Sequence, residues 1–197
     1  DGAEGQAMLE VEPGIRASLD LSTDGLSRDS ALRARFLFSG SEWDWVSAIF
    51  PEIDNFKGTI TADANVIGTV GEPALQGVLR WQEGELAIPV LNLPLTDIEV
   101  TVTGSSAGDA IVAGSAKSGR GKLTVDGSLA DLLSDDRSFT VRLGGRKATI
   151  LNWPDYRLTA SPDLAVDGSQ AGIKVSGKVA VDEANISVSE LPKGAVS

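Results

Sequence analysis

The stretch Gly58-Thr59-Ile60-Thr61-Ala62-Asp63-Ala64-Asn65-Val66 decides the fold. Ile60, Ala62, Ala64 and Val66 share one parity, while Thr61, Asp63 and Asn65 share the other. Successive side chains of a strand project to opposite sides of a sheet, so this alternation predicts one dry face and one wet face. The pattern continues outward in both directions. Toward the C-terminus, Ile98, Val100 and Val102 alternate with Glu99, Thr101 and Thr103, and Leu123 and Val125 with Lys122, Thr124 and Asp126. Phe139, Val141 and Leu143 then alternate with Thr140 and Arg142, and Ile173, Val175, Val179 and Val181 with Lys174, Ser176 and Lys178. Toward the N-terminus the same parity runs through Ile15, Ala17, Leu19 and Leu21 and through Leu32, Ala34, Phe36 and Phe38. The chain reads as all-β.

Glycine with acidic or polar neighbours separates these runs, at Glu12-Pro13-Gly14, Asp24-Gly25, Glu83-Gly84, residues 104–108, Gly144-Gly145 and Asp167-Gly168. Asp-Gly between alternating strands is a hairpin signal, because glycine accepts the positive φ of tight turns. At ~8–12 residues per strand and turn, the length predicts on the order of 14–18 mostly antiparallel strands. Residues 41–50 break the pattern. Trp43, Val46 and Ile49/Phe50 recur at helical spacing, Ser41 is placed to cap, and Pro51 to stop, a helix of about ten residues. Two tryptophans plugging one end of a β core is a compatible reading of the same stretch.

Composition removes whole classes of function. The 197 residues carry 17 basic and 28 acidic side chains, a net charge of −11, with no histidine and no cysteine. That removes disulfides, thiolate nucleophiles, Cys/His metal sites and the commonest general base. The negative charge argues against nucleic acid or an anionic lipid surface as the main partner. No apolar run approaches the ~20 residues of a membrane span. No export signal opens the chain at Asp1-Gly2-Ala3. Both ends read as cuts within a longer protein, so residues 1–197 are expected to be one segment of it.

Several local motifs carry less than they suggest. Residues 114–124 are glycine-rich and basic, yet Ala116 stands where a phosphate loop needs glycine and Leu123 where it needs a hydroxyl. They are expected to form a glycine-rich bend. Asp131, Asp135 and Asp136 lack calcium-loop spacing, as do residues 163–168, and both read as solvated turns. Asn185-Ile186-Ser187 matches a glycosylation sequon in a strand context that does not favour it. Arg142, Arg146 and Lys147 form a small basic group, expected to find local ion-pair partners. No nucleophile and base can be paired, and the aromatic platforms of a glycosidase are scarce. No catalytic residue, metal site or cofactor is assigned, and an enzyme is not expected.

What remains is the dry face, mainly Val, Ile, Leu and Ala over nearly every strand. It has to be covered by a second sheet, by a helix, by closure or by a ligand. A β-sandwich is one solution. A single long sheet curled around a groove open to acyl chains is the other.

From Phe50 onward the chain resembles the C-terminal conserved region of the TamB family, the large AsmA-like translocation and assembly proteins of Gram-negative bacteria. The carrying residues are Phe50-Pro51-Glu52-Ile53, Gly58-Thr59-Ile60, residues 68–77 and Gly84-Glu85-Leu86-Ala87-Ile88-Pro89. They continue with Leu95-Thr96-Asp97-Ile98, residues 118–123, Asn152-Trp153-Pro154-Asp155-Tyr156, Ser161-Pro162-Asp163-Leu164 and residues 186–197. The resemblance implies a β-taco, a U-shaped and mostly antiparallel sheet with an apolar interior. It implies a long periplasmic protein, anchored in the inner membrane by an N-terminal helix that this stretch lacks, and working with the Omp85 barrel TamA. Family members are implicated in outer-membrane protein assembly and in carrying phospholipid between membranes. The family's sequence continues beyond Ser197, and the resemblance implies TamA as the partner of the full-length protein.

Together these readings predict one β-taco segment over residues 1–197, with a short helix at 41–50 and the family-like region at 50–197. The expected function is a non-enzymatic conduit for phospholipid acyl chains, or detergent. The expected groove lining is Ile60, Val66, Leu79, Trp81, Leu86, Ile88, Ile98, Val100, Val102, Ile111, Leu123, Val125, Phe139, Val141, Leu143, Ile150, Leu158, Leu164, Val166, Ile173, Val175, Val179, Val181, Ile186 and Val188. Trp43, Trp45 and Trp81 are expected near an opening or end. The competing readings are a groove or sheet edge that holds unfolded barrel strands, and a closed sandwich acting as a binding module.

Overall fold

Polar turns fold the alternating runs back on one another, so most strands pair with their sequence neighbours. At residues 24–31, for example, Asp24 N–H donates to the Ala31 carbonyl (3.3 Å) and Ala31 N–H to Asp24 Oδ1 (2.6 Å), closing one hairpin. The structure, a computed structural model, describes residues 2–11, 14–105, 109–130 and 137–187. Among them twelve strands make one antiparallel sheet. These are β1 (Ala3–Val11), β2 (Ile15–Thr23), β3 (Ala31–Gly40), β4 (Asp54–Thr69), β5 (Pro73–Ile88) and β6 (Leu93–Gly104). The remainder are β7 (Ala110–Ser118), β8 (Gly121–Ala130), β9 (Ser138–Arg146), β10 (Ala148–Asn152), β11 (Tyr156–Ser169) and β12 (Gly172–Ile186). The sheet runs in sequence order from β1 to β9. There β11 takes the next place, with β9 and β10 end to end along one of its edges and β12 along the other.

The strands are fewer and longer than the glycine punctuation predicts. Glu83-Gly84 lies inside β5, Gly144-Gly145 inside β9 and Asp167-Gly168 inside β11. These signals mark bends and interior positions rather than turns. Register shifts fall between Asp54 and Thr59, between Trp81 and Leu86 and between Thr96 and Glu99, in neighbouring strands. The same places hold positive φ at Asn55 (51°), Gly58 (110°), Glu83 (51°) and Asp97 (48°). A β-bulge bends its strand and increases the local twist, so bulges aligned across β4, β5 and β6 crease the sheet along a line. Lys117 on β7 clips the crease, its Nζ 2.5 Å from the Asp97 carboxylate.

The inside of the crease is apolar. A Cβ on Gly84 would stand 2.7 Å from the Trp81 ring and 2.8 Å from Ile98, so glycine is what lets these two meet. Trp43, from the connection between β3 and β4, fills the same region. Its ring lies 6.2 Å from Phe38 and 5.8 Å from Phe56, and Phe56 stacks on Trp81 at 4.6 Å. Both indoles are also tied by hydrogen bonds, Trp43 Nε1 to the Gly58 carbonyl and Trp81 Nε1 to that of Lys57.

That anchoring corrects the helix expected over residues 41–50. Only one turn forms, α1 (Val46–Ile49), with Trp45 at its N-cap and no side-chain cap. Ser41 lies four residues before that N-cap, and its backbone N–H bonds the Gly14 carbonyl and extends the sheet. Of the two tryptophans read as a plug, only Trp43 acts as one. Trp43 is 7% exposed, whereas Trp45 is 47% exposed and stands outside.

A second closure lies at β10. Lys147, at φ 46°, interrupts the β9–β10 strand, and β10 then passes beyond β8 across the ends of β7 and β6. Ser118 Oγ bonds the Thr149 carbonyl, Asn92 Nδ2 the Asn152 carbonyl, and Trp153 Nε1 the Val90 carbonyl of the 3-10 turn Pro89–Leu91. Ala148, Ala160 and Ser118 are fully buried at this seam. The described residues form one open sheet without a second layer, so the closed-sandwich reading does not hold.

The seam leaves no space at Gly121, where a Cβ would overlap the Lys147 carbonyl. Gly121→Ala is expected to lower stability by about 1–3 kcal/mol, read from urea melts. Gly5→Ala, with nothing within 4 Å of the added Cβ, is expected to be neutral or slightly stabilising.

Candidate functional site

Direct cross-strand partners share a face, so the register assembles the site row by row. One row runs Ala17, Phe38, Ala62, Leu79, Val102, Val112, Gly127, Val141, Val166 and Val175. The next runs Ile15, Gly40, Ile60, Trp81, Val100, Gly114, Val125, Leu143, Leu164 and Gly177. Neither contains a polar side chain. The opposite parity carries the polar ladder, with Arg35 3.0 Å from the Asp63 carboxylate and Thr140 Oγ1 donating to Asp167 Oδ1 at 2.9 Å.

Cover over the apolar face is uneven. Near the crease and seam Leu93 and Ile98 are 5% exposed. At the far edge Ile173, Val175 and Val181 are 71%, 63% and 61% exposed, and every residue of β12 is exposed. Some glycines on the face make room for their neighbours, as at Gly168, where a Cβ would overlap the Phe139 ring. The face is therefore a continuous apolar surface, closed at one end by Trp43 and β10 and open toward β12.

Most of the residues expected to line a groove meet on this face. Ile60, Val66, Leu79, Trp81, Leu86, Ile88, Ile98, Val100 and Val102 are joined by register on β4, β5 and β6. Leu123, Val125, Phe139, Val141, Leu143, Leu164 and Val166 follow on β8, β9 and β11. Leu158, Ile173, Val175, Val179, Val181 and Ile186 complete the set on β11 and β12. Three do not join it. Ile111 pairs with Thr103 and Ser128 on the wet face and is 65% exposed. Ile150 is the extra residue of the β10 bulge, and Val188 lies outside the described residues, as do Asp131, Asp135 and Asp136. The expectation missed Leu19, Leu21, Phe36 and Phe38 on β2 and β3, although their alternation was legible, and Leu93, Leu95, Val112, Leu129, Ala148 and Ala160.

Among the described residues no three acidic side chains cluster to hold a metal ion, and no helix is long and apolar enough to cross a membrane. Lys117 is held above its ordinary pKa by its hydrogen bond to Asp97 and then by that carboxylate's charge, at the crease and on the solvent side.

The open face predicts a graded response to charge. Val175→Asp is expected to cost less than about 0.5 kcal/mol, because the site remains wet. Ile98→Asp buries an unpaired carboxylate and should abolish cooperative unfolding; circular dichroism melts of the two variants measure the contrast.

Compared with known proteins, residues 112–197 match the family model described as the TamB C-terminal domain. The resemblance therefore holds over the stretch from β7 onward, while the similar motifs at residues 50–97 lie before it. No curated protein and no solved structure matches the chain.

Proposed function

We propose that this TamB-type sheet is a non-enzymatic lipid-handling segment whose apolar face holds phospholipid acyl chains in transit between two membranes. The observation that carries the reading is the face itself, where two rows hold no polar side chain across ten strands and no second layer of the described residues lies over them. Each CH₂ laid on it gains about 0.8 kcal/mol, so one long acyl chain offsets much of its ordering cost. The family match supports a role in the translocation and assembly module of a Gram-negative envelope, with the segment in the periplasm and the whole protein anchored in the inner membrane. An Omp85-type barrel such as TamA is the partner in this reading, and outer-membrane protein assembly the process served. The net charge of −11 suits a surface that must not adhere to anionic headgroups.

A second reading is favoured by one feature, the free edge of β12. Among the described residues its backbone is paired on one side only, and an extended segment of an unfolded barrel could add there by strand augmentation. The two readings separate on substitution, since acyl contact depends on side chains and edge pairing on backbone groups.

Native mass spectrometry with lipid extraction tests the proposal. Phospholipid or detergent is expected to co-purify with the chain and to be lost from Val100→Asp, Val125→Asp and Val141→Asp variants that stay folded. A lipid-free chain that also ignores fatty-acid probes overturns it in favour of strand handling.

A further inference from the structure

We infer that the hollow between β10–β12 and the β7–β8 turn is a binding site for a phosphate monoester or diester anion. The hollow measures about 690 Å³, within the usual range for small-molecule sites. Three cations line it from three separate segments, Arg120 of the β7–β8 turn, Lys147 of the β9–β10 bend and Arg157 of β11. Thr149, Thr159 and Asn185 add neutral hydrogen-bonding groups, and Glu183 contributes the single carboxylate. The local balance is therefore +3 − 1 = +2, in a chain whose net charge is −11.

Like charges gathered this way repel unless carboxylates or a bound anion offset them. No carboxylate does so at close range, because among the described residues none lies within ion-pair distance of Arg120, Lys147 or Arg157. The walls are also set in place. Gly119 packs so closely on Thr149 that a Cβ would overlap Thr149 Oγ1. Lys147 N–H donates to Ser161 Oγ at 3.0 Å. Arg157 Nε donates to Asn152 Oδ1 at 3.1 Å, which orients the guanidinium and leaves its terminal nitrogens for a ligand. Two guanidinium forks, an ammonium and threonine hydroxyls suit a tetrahedral oxyanion with several oxygens better than a carboxylate.

The site does not require acyl chains on the apolar face. Six of its residues come from the polar cross-strand rows Thr149–Thr159–Glu183 and Asn152–Arg157–Asn185, and Arg120 and Lys147 join them from the neighbouring turn and bend. A lipid headgroup and a free phosphate ester present the same chemistry to it.

Isothermal titration of the chain at fixed low ionic strength, with glycerol 3-phosphate and with dihexanoyl-phosphatidylglycerol below its micelle concentration, tests the inference and separates the sources. Saturable binding of either probe, weakened about tenfold or more by Arg120→Gln or Arg157→Gln and strengthened by Glu183→Gln, is the expected result. Binding of the lipid alone identifies a headgroup site, and binding of both or of the glycerol ester alone a phosphate-ester site. Arg142→Gln, on the wet face outside the hollow, should leave the titration unchanged, and circular dichroism melts confirm that each variant is folded. No binding of either probe, or binding that Arg120→Gln and Arg157→Gln leave intact, overturns it. Loss of acyl chains in Val100→Asp leaves this outcome untouched, so the two proposals fail separately.

Discussion

Cross-strand register is the constraint on which the rest of the structure depends. Once Ile60 stands opposite both Gly40 and Trp81, every second residue of the neighbouring strands is committed to the same side. Slipping one strand by one residue would send its Val and Leu side chains into the polar ladder and its Asp and Arg side chains onto the dry face. The sheet therefore inherits a large apolar surface that no second sheet covers. Water is removed from part of it by bending, and the rest stays exposed.

The crease and the seam are the two devices that do the bending. At the crease, positive-φ residues on β4, β5 and β6 lie beside one another, and Gly84 lets Trp81 and Ile98 close the inside angle. At the seam, Lys147 breaks the strand at positive φ and β10 is laid across the ends of β7 and β6, tied by Ser118 and Asn92. Buried side chains cluster around these two places, including Trp43, Leu93, Ile98 and Ala148. The bent end supplies the core, and β12 supplies much of the exposed apolar area.

Parity was legible from sequence because it is a local property, repeated in every strand. The glycine pairs were not, since Glu83-Gly84 reads the same whether it makes a turn or a bulge. The outcome depends on which strands the flanking runs pair with, and here both halves of β5 pair with β4 and β6. Ile111 was misplaced for a related reason. The inward parity of β7 consists of Ala110, Val112, Gly114 and Ala116, so a lone large residue among small ones drew the eye to the wrong face. The helical spacing of Trp43, Val46 and Phe50 was real, but a buried indole bonded to the Gly58 carbonyl outweighs the propensity of one short segment. The cations of the polar hollow were invisible as a group. Arg142, Arg146 and Lys147 are adjacent in sequence, yet Arg142 sits opposite Asp126 on the wet face while Lys147 joins Arg120 and Arg157.

The sequence-ordered topology bears on how such a sheet assembles. From β1 to β9 every pairing joins strands next to each other in the chain, so most hairpins can zip onto the last with only a short loop to close, residues 41–53 being a longer connection. Loop-closure entropy is then small at each step, and pairing propagates as in repeat proteins, where a unit answers mainly to its neighbours. The seam is different. Two of its hydrogen bonds join residues 60 and 63 positions apart, so they close far larger loops than any hairpin does. A single slipped register between β6 and β10 would leave Asn92 and Trp153 without their carbonyl partners, so the side-chain bonds of the seam depend on the pairings that precede it.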